Sequence, residues 1–145
     1  MAFSNPRTQT PPLRDDTRVN LNDELSYRTL PRNLEAERGL LGAILIDNRA
    51  YENVSEFLQN DHFSIPIHSE IYSAISKLIE KGQMADPITL KRFFENVDTL
   101  SEVNGANYLA ELAATAVTIL NAREYGRVIY DLHLKRELIN IGQEI

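Results

Sequence analysis

Residues 121–145 constrain the fold more than any other part of the chain. Asn121 is a favourable N-cap residue, and Glu124, three positions later, completes a capping box with it. Leu120, before the cap, can pack on Tyr125 in the first turn and fix the direction in which the chain enters the helix. Neither a proline nor a glycine placed as a C-terminal cap ends the pattern. We therefore predict a long helix whose pattern is still helical at the last residue.

Two apolar stripes run along this predicted helix. At 1.5 Å per residue, about 24 residues extend roughly 36 Å, which exceeds the width of a domain of roughly 100 residues, so part of the helix should stand clear. The first stripe comprises Tyr125, Val128, Ile129, Leu132 and Ile139. The opposite one, which we call the second stripe, comprises Tyr130, Leu134, Leu138, Ile141 and Ile145. Its spacing is typical of a helix-packing seam and predicts a partner interface; alternatively, both stripes are buried within a larger version of the same chain.

The composition limits the chain to one ordinary domain with a tail. Its 145 residues are 43% apolar and 25% charged, which suffices for one hydrophobic core but not for two. No run of about 18 apolar residues and no charged-then-apolar leader occurs, so we expect neither a membrane span nor a secretory signal, and a cytoplasmic location. Because the chain has no cysteine, disulfides and cysteine-ligated metals are excluded.

The net charge of −6 is unevenly distributed. Residues 1–33 carry five arginines and four acidic residues, whereas residues 34–145 carry ten basic and seventeen acidic residues. A body with this acidic excess is repelled by phosphate. The charge therefore disfavours a domain that grips DNA or RNA by itself.

The patterns along the chain predict an all-α fold in three parts. Residues 1–29 contain three prolines and little aliphatic content, so we predict a disordered tail. Residues 30–104 should form a globular helical head, because helical periodicity recurs and no sustained strand alternation appears. Residues 105–145 should form an antiparallel helical hairpin, because a short link joins the last two predicted helices.

Helix-start signals divide the predicted head. Asn33 begins a helix that ends at Asp47, and Gly42 within it indicates a close helix crossing or, alternatively, a tolerated defect. Ser64 and Asp86 each cap a helix with a proline in its first turn. The other predicted elements are a short helix at 51–58, a helix end at Lys81-Gly82, a connector at 96–104 and a helix start at Gly105.

A search for catalytic chemistry finds no firm candidate. The glycines are scattered singly and no phosphate-binding loop occurs, so we predict no nucleotide hydrolysis by this stretch. Asp61, His62 and His68 lie close in sequence, but their spacing fits no metal-ligand pair, and we predict that the histidines are caps or loop anchors. His133 should face solvent or edge an interface. The carboxylates at Glu35, Glu37 and Glu124 fit helix starts rather than acid–base catalysis.

Two further functions stay open at this point. A stand-alone helical nucleic-acid-binding module could contact phosphate through Lys91 and Arg92, or through Arg123 and Arg127. A small enzyme would need a pocket that the sequence does not reveal.

Short motifs occur along the chain in a recognisable order. The first are LPRNLEAE at 30–37 and LLGAIL at 40–45. Further ones are Phe63 with His68 and Ile71-Tyr72; Gly82 with Asp86, Thr89 and Leu90; YLAEL at 108–112; and Asn121-Ala122 with Tyr125. This ordered set resembles the opening of the bacterial replicative DNA helicases of the DnaB type, over residues 30–145. One departure is Asn104-Gly105, where the family usually has a pair of glycines.

The resemblance implies that this stretch is the amino-terminal domain alone, ending in the linker region before an ATPase domain that these residues do not include. It implies a non-catalytic collar that self-associates into dimers, a trimer of dimers or a hexamer, and that receives primase and in some systems a helicase loader. In the parent, an ATP-dependent DNA helicase, ATP and Mg²⁺ would serve the missing motor, which would act on single-stranded DNA. For this chain we expect no catalytic, cofactor-binding or metal-binding residue. We expect a partner interface formed by Tyr130, Leu134, Leu138, Ile141 and Ile145.

Overall fold

Helices provide the regular structure of this chain. The computed structural model of the protein describes residues 30–95, 105–116 and 119–144. Within these ranges there is no strand, so the predicted all-α class is confirmed. The helices are α1 (Leu34–Ile46), α2 (Arg49–Val54), α3 (Pro66–Glu80), α4 (Pro87–Phe94), α5 (Gly105–Ala114) and α6 (Ile119–Glu144), with a 3-10 turn (Asn60–His62) between α2 and α3. The predicted tail (1–29) and the predicted connector (96–104) lie outside the described residues.

Among these helices, none combines the length and the apolar content that a bilayer-crossing segment needs.

Helix α1 is the centre of the packing. Its start is confirmed as predicted, because Asn33 Oδ1 accepts a hydrogen bond from the Ala36 N–H at 3.0 Å. Asp47 caps its other end. Helices α2, α3, α5 and α6 all contact α1. Its almost fully buried apolar side chains are Leu40, Leu41, Ala43, Ile44 and Leu45.

Gly42 lies where α5 crosses α1. A Cβ atom at this position would lie 2.1 Å from the carbonyl oxygen of Leu112 and 3.1 Å from the Cα of Ala116. Backbone atoms cannot move aside as a flexible side chain can, so only glycine fits the approach. The predicted close crossing is confirmed.

The starts of α3 and α4 test two predicted caps. Asp86 accepts from the Thr89 N–H at 2.8 Å and Thr89 Oγ1 accepts from the Asp86 N–H at 2.9 Å, so this cap is confirmed. The predicted Ser64 cap was wrong, because the N-cap of α3 is Ile65. The Ser64 N–H instead donates to Glu37 Oε2 at 3.0 Å, a contact with α1 that the local sequence does not reveal. Helix α3 ends as predicted, with Gly82 at φ +78°.

The long terminal helix α6 has 26 residues and begins at Ile119. Asn121 is therefore within the helix, and its predicted role as N-cap was wrong. Ala122 is fully buried, which shows that the helix already lies against the domain in its first turn.

Helices α5 and α6 each pack on α1. Within the described residues, α5 also packs on α4, whereas α6 also packs on α2 and the 3-10 turn. Because α1 is buried on nearly all sides, it offers the two helices separate apolar faces. Residues 32–145 form one compact unit. The division into a head and a hairpin at 104/105 stays a prediction.

Candidate partner interface

Helix α6 consists of a docked part and a part that stands clear of the domain. Ala122 and Ile129 are buried, and Gly126 packs against Val54 of α2. After Arg136, every side chain that the structure describes, through residue 142, is exposed. At 1.5 Å per residue the whole helix is roughly 39 Å long. The prediction that part of it stands clear of its own domain is confirmed.

The second stripe is exposed at three of its five members. Leu134 is 43% exposed, Leu138 69% and Ile141 53%. These side chains follow one another at helical spacing, so they form an apolar edge along the part of α6 that the domain does not cover. Ile145 lies outside the described residues. The structure therefore brings Leu134, Leu138 and Ile141 together, as the sequence places them.

Tyr130, the first member of the second stripe, has partners in its own domain. Its ring lies 6.1 Å from the ring of Phe57, edge to face, and 5.1 Å from the ring of His62. It is half-buried, so only part of its surface could contact another molecule. The first stripe is docked over its first four members: Ile129 is 2% exposed, and Tyr125, Val128 and Leu132 are half-buried, whereas Ile139, beyond Arg136, is 36% exposed.

His62 and His133 meet at the point where α6 leaves the domain. Their ring centroids are 4.3 Å apart, with the planes inclined by 38°. His62 Nδ1 accepts a hydrogen bond from the Gln59 N–H at 3.0 Å, so its predicted role as a loop anchor is confirmed. Arg136 Nη2 donates to the His62 carbonyl oxygen at 2.7 Å. Burial lowers the pKa of His62, and the neighbouring His133 lowers it further.

The pairing of these two histidines has no signal in the sequence. They are far apart in the sequence, and neither has a periodic neighbour of the same type. The sequence suggests solvent or an interface edge for His133, whereas its side chain is only 17% exposed. No local signal indicates that the 3-10 turn and α6 meet.

A second polar cluster is buried between α1, α3 and α5. His68 Nδ1 lies 2.7 Å from Glu37 Oε1, and His68 Nε2 hydrogen-bonds the Tyr108 hydroxyl. Glu37 and His68 are almost completely buried, so the predicted role of His68 as a cap or loop anchor was wrong: it lies within α3 and pairs with side chains of two other helices. Burial raises the pKa of Tyr108. Because Glu37 and His68 are almost completely buried and pair with each other and with the half-buried Tyr108, the cluster joins three helices rather than receiving a substrate.

The arginines proposed for phosphate contact already have partners in the chain. The guanidinium carbons of Arg127 and Arg123 lie 4.7 Å and 5.7 Å from the centroid of the Phe57 ring. Arg123 Nη1 also donates to the Asn53 carbonyl oxygen at 3.1 Å. Within the described ranges, no group of three or more His, Cys, Asp or Glu residues is placed to hold a metal ion.

Comparison with known proteins gives consistent matches. The family model described as the DnaB-like helicase N terminal domain matches residues 29–131. The replicative DNA helicase DnaB of Rickettsia prowazekii is 48% identical over 129 residues, which cover 88% of this chain and 26% of the relative. The replicative DNA helicase DnaC of Bacillus subtilis is 34% identical over 125 residues, covering 86% of this chain and 28% of the relative. The chain thus spans about a quarter of the length of these relatives.

Two solved structures resemble the fold. The crystal structure of the N-terminal domain of DnaB helicase from Mycobacterium tuberculosis has a TM-score of 0.75 and 32% identity, covering 79% of this chain and 83% of that one. A second structure, of a DnaB-like replicative helicase and its interactions with primase, has a TM-score of 0.64 and 29% identity. It covers 77% of this chain and 26% of that one.

Proposed function

Because this chain belongs to the family of DnaB-like helicase N-terminal domains, we propose that it is the non-catalytic collar domain of a replicative DNA helicase. In this role it self-associates through α6 and docks partner proteins. The parent would be an ATP-dependent helicase acting in DNA replication, with ATP, Mg²⁺ and single-stranded DNA bound by a motor domain outside these residues.

The observation that carries the proposal is the uncovered second stripe. Leu134, Leu138 and Ile141 are exposed on a helix that extends past its own domain. Large exposed apolar side chains in a contiguous row are typical of protein interfaces. Fully burying each one against a neighbouring copy would contribute about 1.5–3 kcal/mol before the association entropy is subtracted.

The size of the stripe limits the expected affinity. A stable interface buries roughly 800 Å² on each partner, and a short row of side chains on one helix supplies only part of that area. We therefore expect the isolated chain to associate at high micromolar concentration rather than at nanomolar concentration. In a ring, neighbouring subunits tethered to one another would raise the effective concentration.

The proposal of primase docking is supported by a solved relative. The DnaB-like replicative helicase in that structure is described together with its interactions with primase. An acidic body also suits a protein-binding collar better than a DNA-binding one. A helicase loader is a further proposed partner.

Light scattering on the chain tests self-association. We expect the wild-type mass to rise above that of a monomer at high micromolar concentration. The Leu134→Asp variant should stay monomeric, because a charge in the middle of the stripe cannot be buried without a partner. The matched control is Ile88→Asp, which makes the same change at an exposed apolar residue of α4. A wild-type monomer throughout, or equal effects of both variants, would contradict the proposal.

The alternative, a stand-alone nucleic-acid-binding module, has less support in the structure. Arg123 and Arg127 pack on Phe57, while Lys91 and Arg92 are exposed residues in the last turn of α4. Titration of single-stranded DNA at low salt separates the two functions. Tight binding with a steep salt dependence, lost in an Arg123→Gln, Arg127→Gln variant, would favour the alternative.

A further inference from the structure

His62 faces α6 from the 3-10 turn, and the hydrogen bond that it makes within this turn depends on the protonation of its ring. The Gln59 N–H points at His62 Nδ1, which must therefore be an acceptor, so the neutral ring carries its proton on Nε2. The positively charged ring has an N–H at both nitrogens. If His62 Nδ1 were protonated, its N–H would face the Gln59 N–H, which is also a donor. The hydrogen bond between Gln59 and His62 that closes the 3-10 turn would then break.

Protonation would also bring positive charge into the contact with α6. The His133 ring lies 4.3 Å from the His62 ring, and Arg136 already donates to the His62 carbonyl oxygen. A positively charged His62 ring would lie near the guanidinium of Arg136 and near the His133 ring, which can itself become charged. Because His62 is largely buried, water would screen this repulsion little. Tyr130 adds an uncharged ring on the third side.

The acidic groups nearby oppose this effect only weakly. Asp61 Oδ1 lies 3.8 Å from His62 Nε2 with its side chain 72% exposed. Glu137 Oε1 lies 3.7 Å from His133 Nε2 with its side chain 56% exposed. Water and salt screen carboxylates this exposed. On α3, Glu70 lines a surface cleft together with Asn60 of the turn. His68 on the same helix pairs with Glu37 instead.

We propose that neutral His62 is a latch that holds α6 against the domain at His133 and Arg136, and that protonation of His62 releases this contact. The latch is intramolecular. It acts on the segment just before the exposed part of α6, so its state determines the direction in which Leu138 and Ile141 are presented. Only this last consequence, an effect on self-association, rests on the proposed function.

A distance measurement between two spin labels tests the latch. Because the chain has no cysteine, Lys77→Cys on α3 and Asn140→Cys on α6 would be its only labelling sites, and both positions are exposed. We expect one narrow distance distribution at about pH 7.5 and loss of that single population at a pH below the pKa of His62, which burial holds under the ordinary histidine value and which a nitrogen-15 titration of the ring locates. The measurement is made at a concentration where light scattering shows a monomer, so the result does not depend on self-association.

The matched variant is His62→Asn. Its amide oxygen can replace Nδ1 as the acceptor for the Gln59 N–H, but it does not titrate. The distance distribution of this variant should stay narrow at both pH values. An unchanged wild-type distribution, or equal broadening in His62→Asn, would overturn the proposal.

A measurement on the unsubstituted chain covers the case in which the variant fails to fold. Nitrogen-15 chemical shifts of the histidine rings report which nitrogen carries the proton. We expect His62 to be protonated on Nε2 alone at about pH 7.5. A proton on Nδ1 at that pH would remove the acceptor on which the latch depends, and would overturn the proposal.

Discussion

Gly126 of α6 lies so close to Val54 of α2 that a Cβ atom on the glycine would be 2.5 Å from Val54 Cγ1. The same added Cβ atom would lie 3.3 Å from Cζ of the Phe57 ring. Ala122, one turn earlier, is fully buried, and Ile129, almost one turn later, is 2% exposed. The small residues Ala122 and Gly126 therefore set how closely α6 approaches the domain.

Gly126→Ala should destabilise the protein, although alanine is the better helix former. The added methyl group must displace Val54 or push α6 outward, and overpacking of this kind costs about 1–3 kcal/mol. Urea denaturation followed by circular dichroism measures the change. The matched control is Gly142→Ala on the same helix, where nothing lies within 4 Å of the added Cβ. There we expect a gain of up to about 1 kcal/mol. Equal effects at the two glycines would contradict the packing argument.

Tyr108→Phe should destabilise the buried cluster between α1, α3 and α5. It removes the hydroxyl that pairs with His68 Nε2 and leaves a fully buried ring nitrogen without that partner. Such a loss costs about 1–3 kcal/mol. Tyr51→Phe is the control, because the Tyr51 hydroxyl bonds Ser76 Oγ at 3.1 Å in a partly buried position. A smaller unfolding free-energy change is expected there, and the reverse order would contradict the assigned role of the cluster.

Asn48→Ala should loosen the loop before α4. The Asn48 side chain accepts from the Ala85 N–H at 2.9 Å, donates to the Ala85 carbonyl oxygen at 2.7 Å and donates to the Ile44 carbonyl oxygen at 2.8 Å. Because Ala85 is fully buried, its backbone groups would lose their pairing, at about 1–3 kcal/mol for each unsatisfied group. Thermal unfolding tests this. The control is Asp47→Asn, which weakens the exposed ion pair between Asp47 and Arg49. It should lower the thermal unfolding midpoint less than Asn48→Ala does.

The stability of the protein should fall as the pH drops below about 6.5. The folded state holds the pKa of His62 below its ordinary value of 6.5, so the unfolded chain binds this proton first. Stability is therefore fully present above the unfolded pKa and is lost as the pH falls toward the folded pKa, with a slope of at most about 1.4 kcal/mol per pH unit for one proton. Urea midpoints across this window measure the slope, which should be shallower in His62→Asn. Equal slopes would show that other groups cause it.

Signals carried by neighbouring residues predicted the structure well. The caps at Asn33 and Asp86 and the crossing at Gly42 depend on residue types within one or two turns, and each is confirmed. The helical period also placed Leu134, Leu138 and Ile141 on one edge of α6, and all three are exposed. These features are local, so the sequence contains them in readable form.

Contacts between distant residues could not be predicted in the same way. The Ser64 N–H bonds Glu37 of α1, and the N-cap of α3 lies one residue after the expected cap. The stack of His62 on His133 joins the 3-10 turn to the last helix. Neither pairing has a periodic or capping signature, because each depends on how whole helices pack.

The segment of α6 that follows Arg136 amplifies any tilt of the helix at Arg136. From Arg136 to the end of the helix at Glu144 it is roughly 12 Å long, so a tilt of about 10° at the base would displace its tip by about 2 Å. That displacement is large enough to misalign interlocking side chains. A substitution in the domain next to Arg136 would therefore change how two molecules fit together, although the substituted residue is not part of the interface between them.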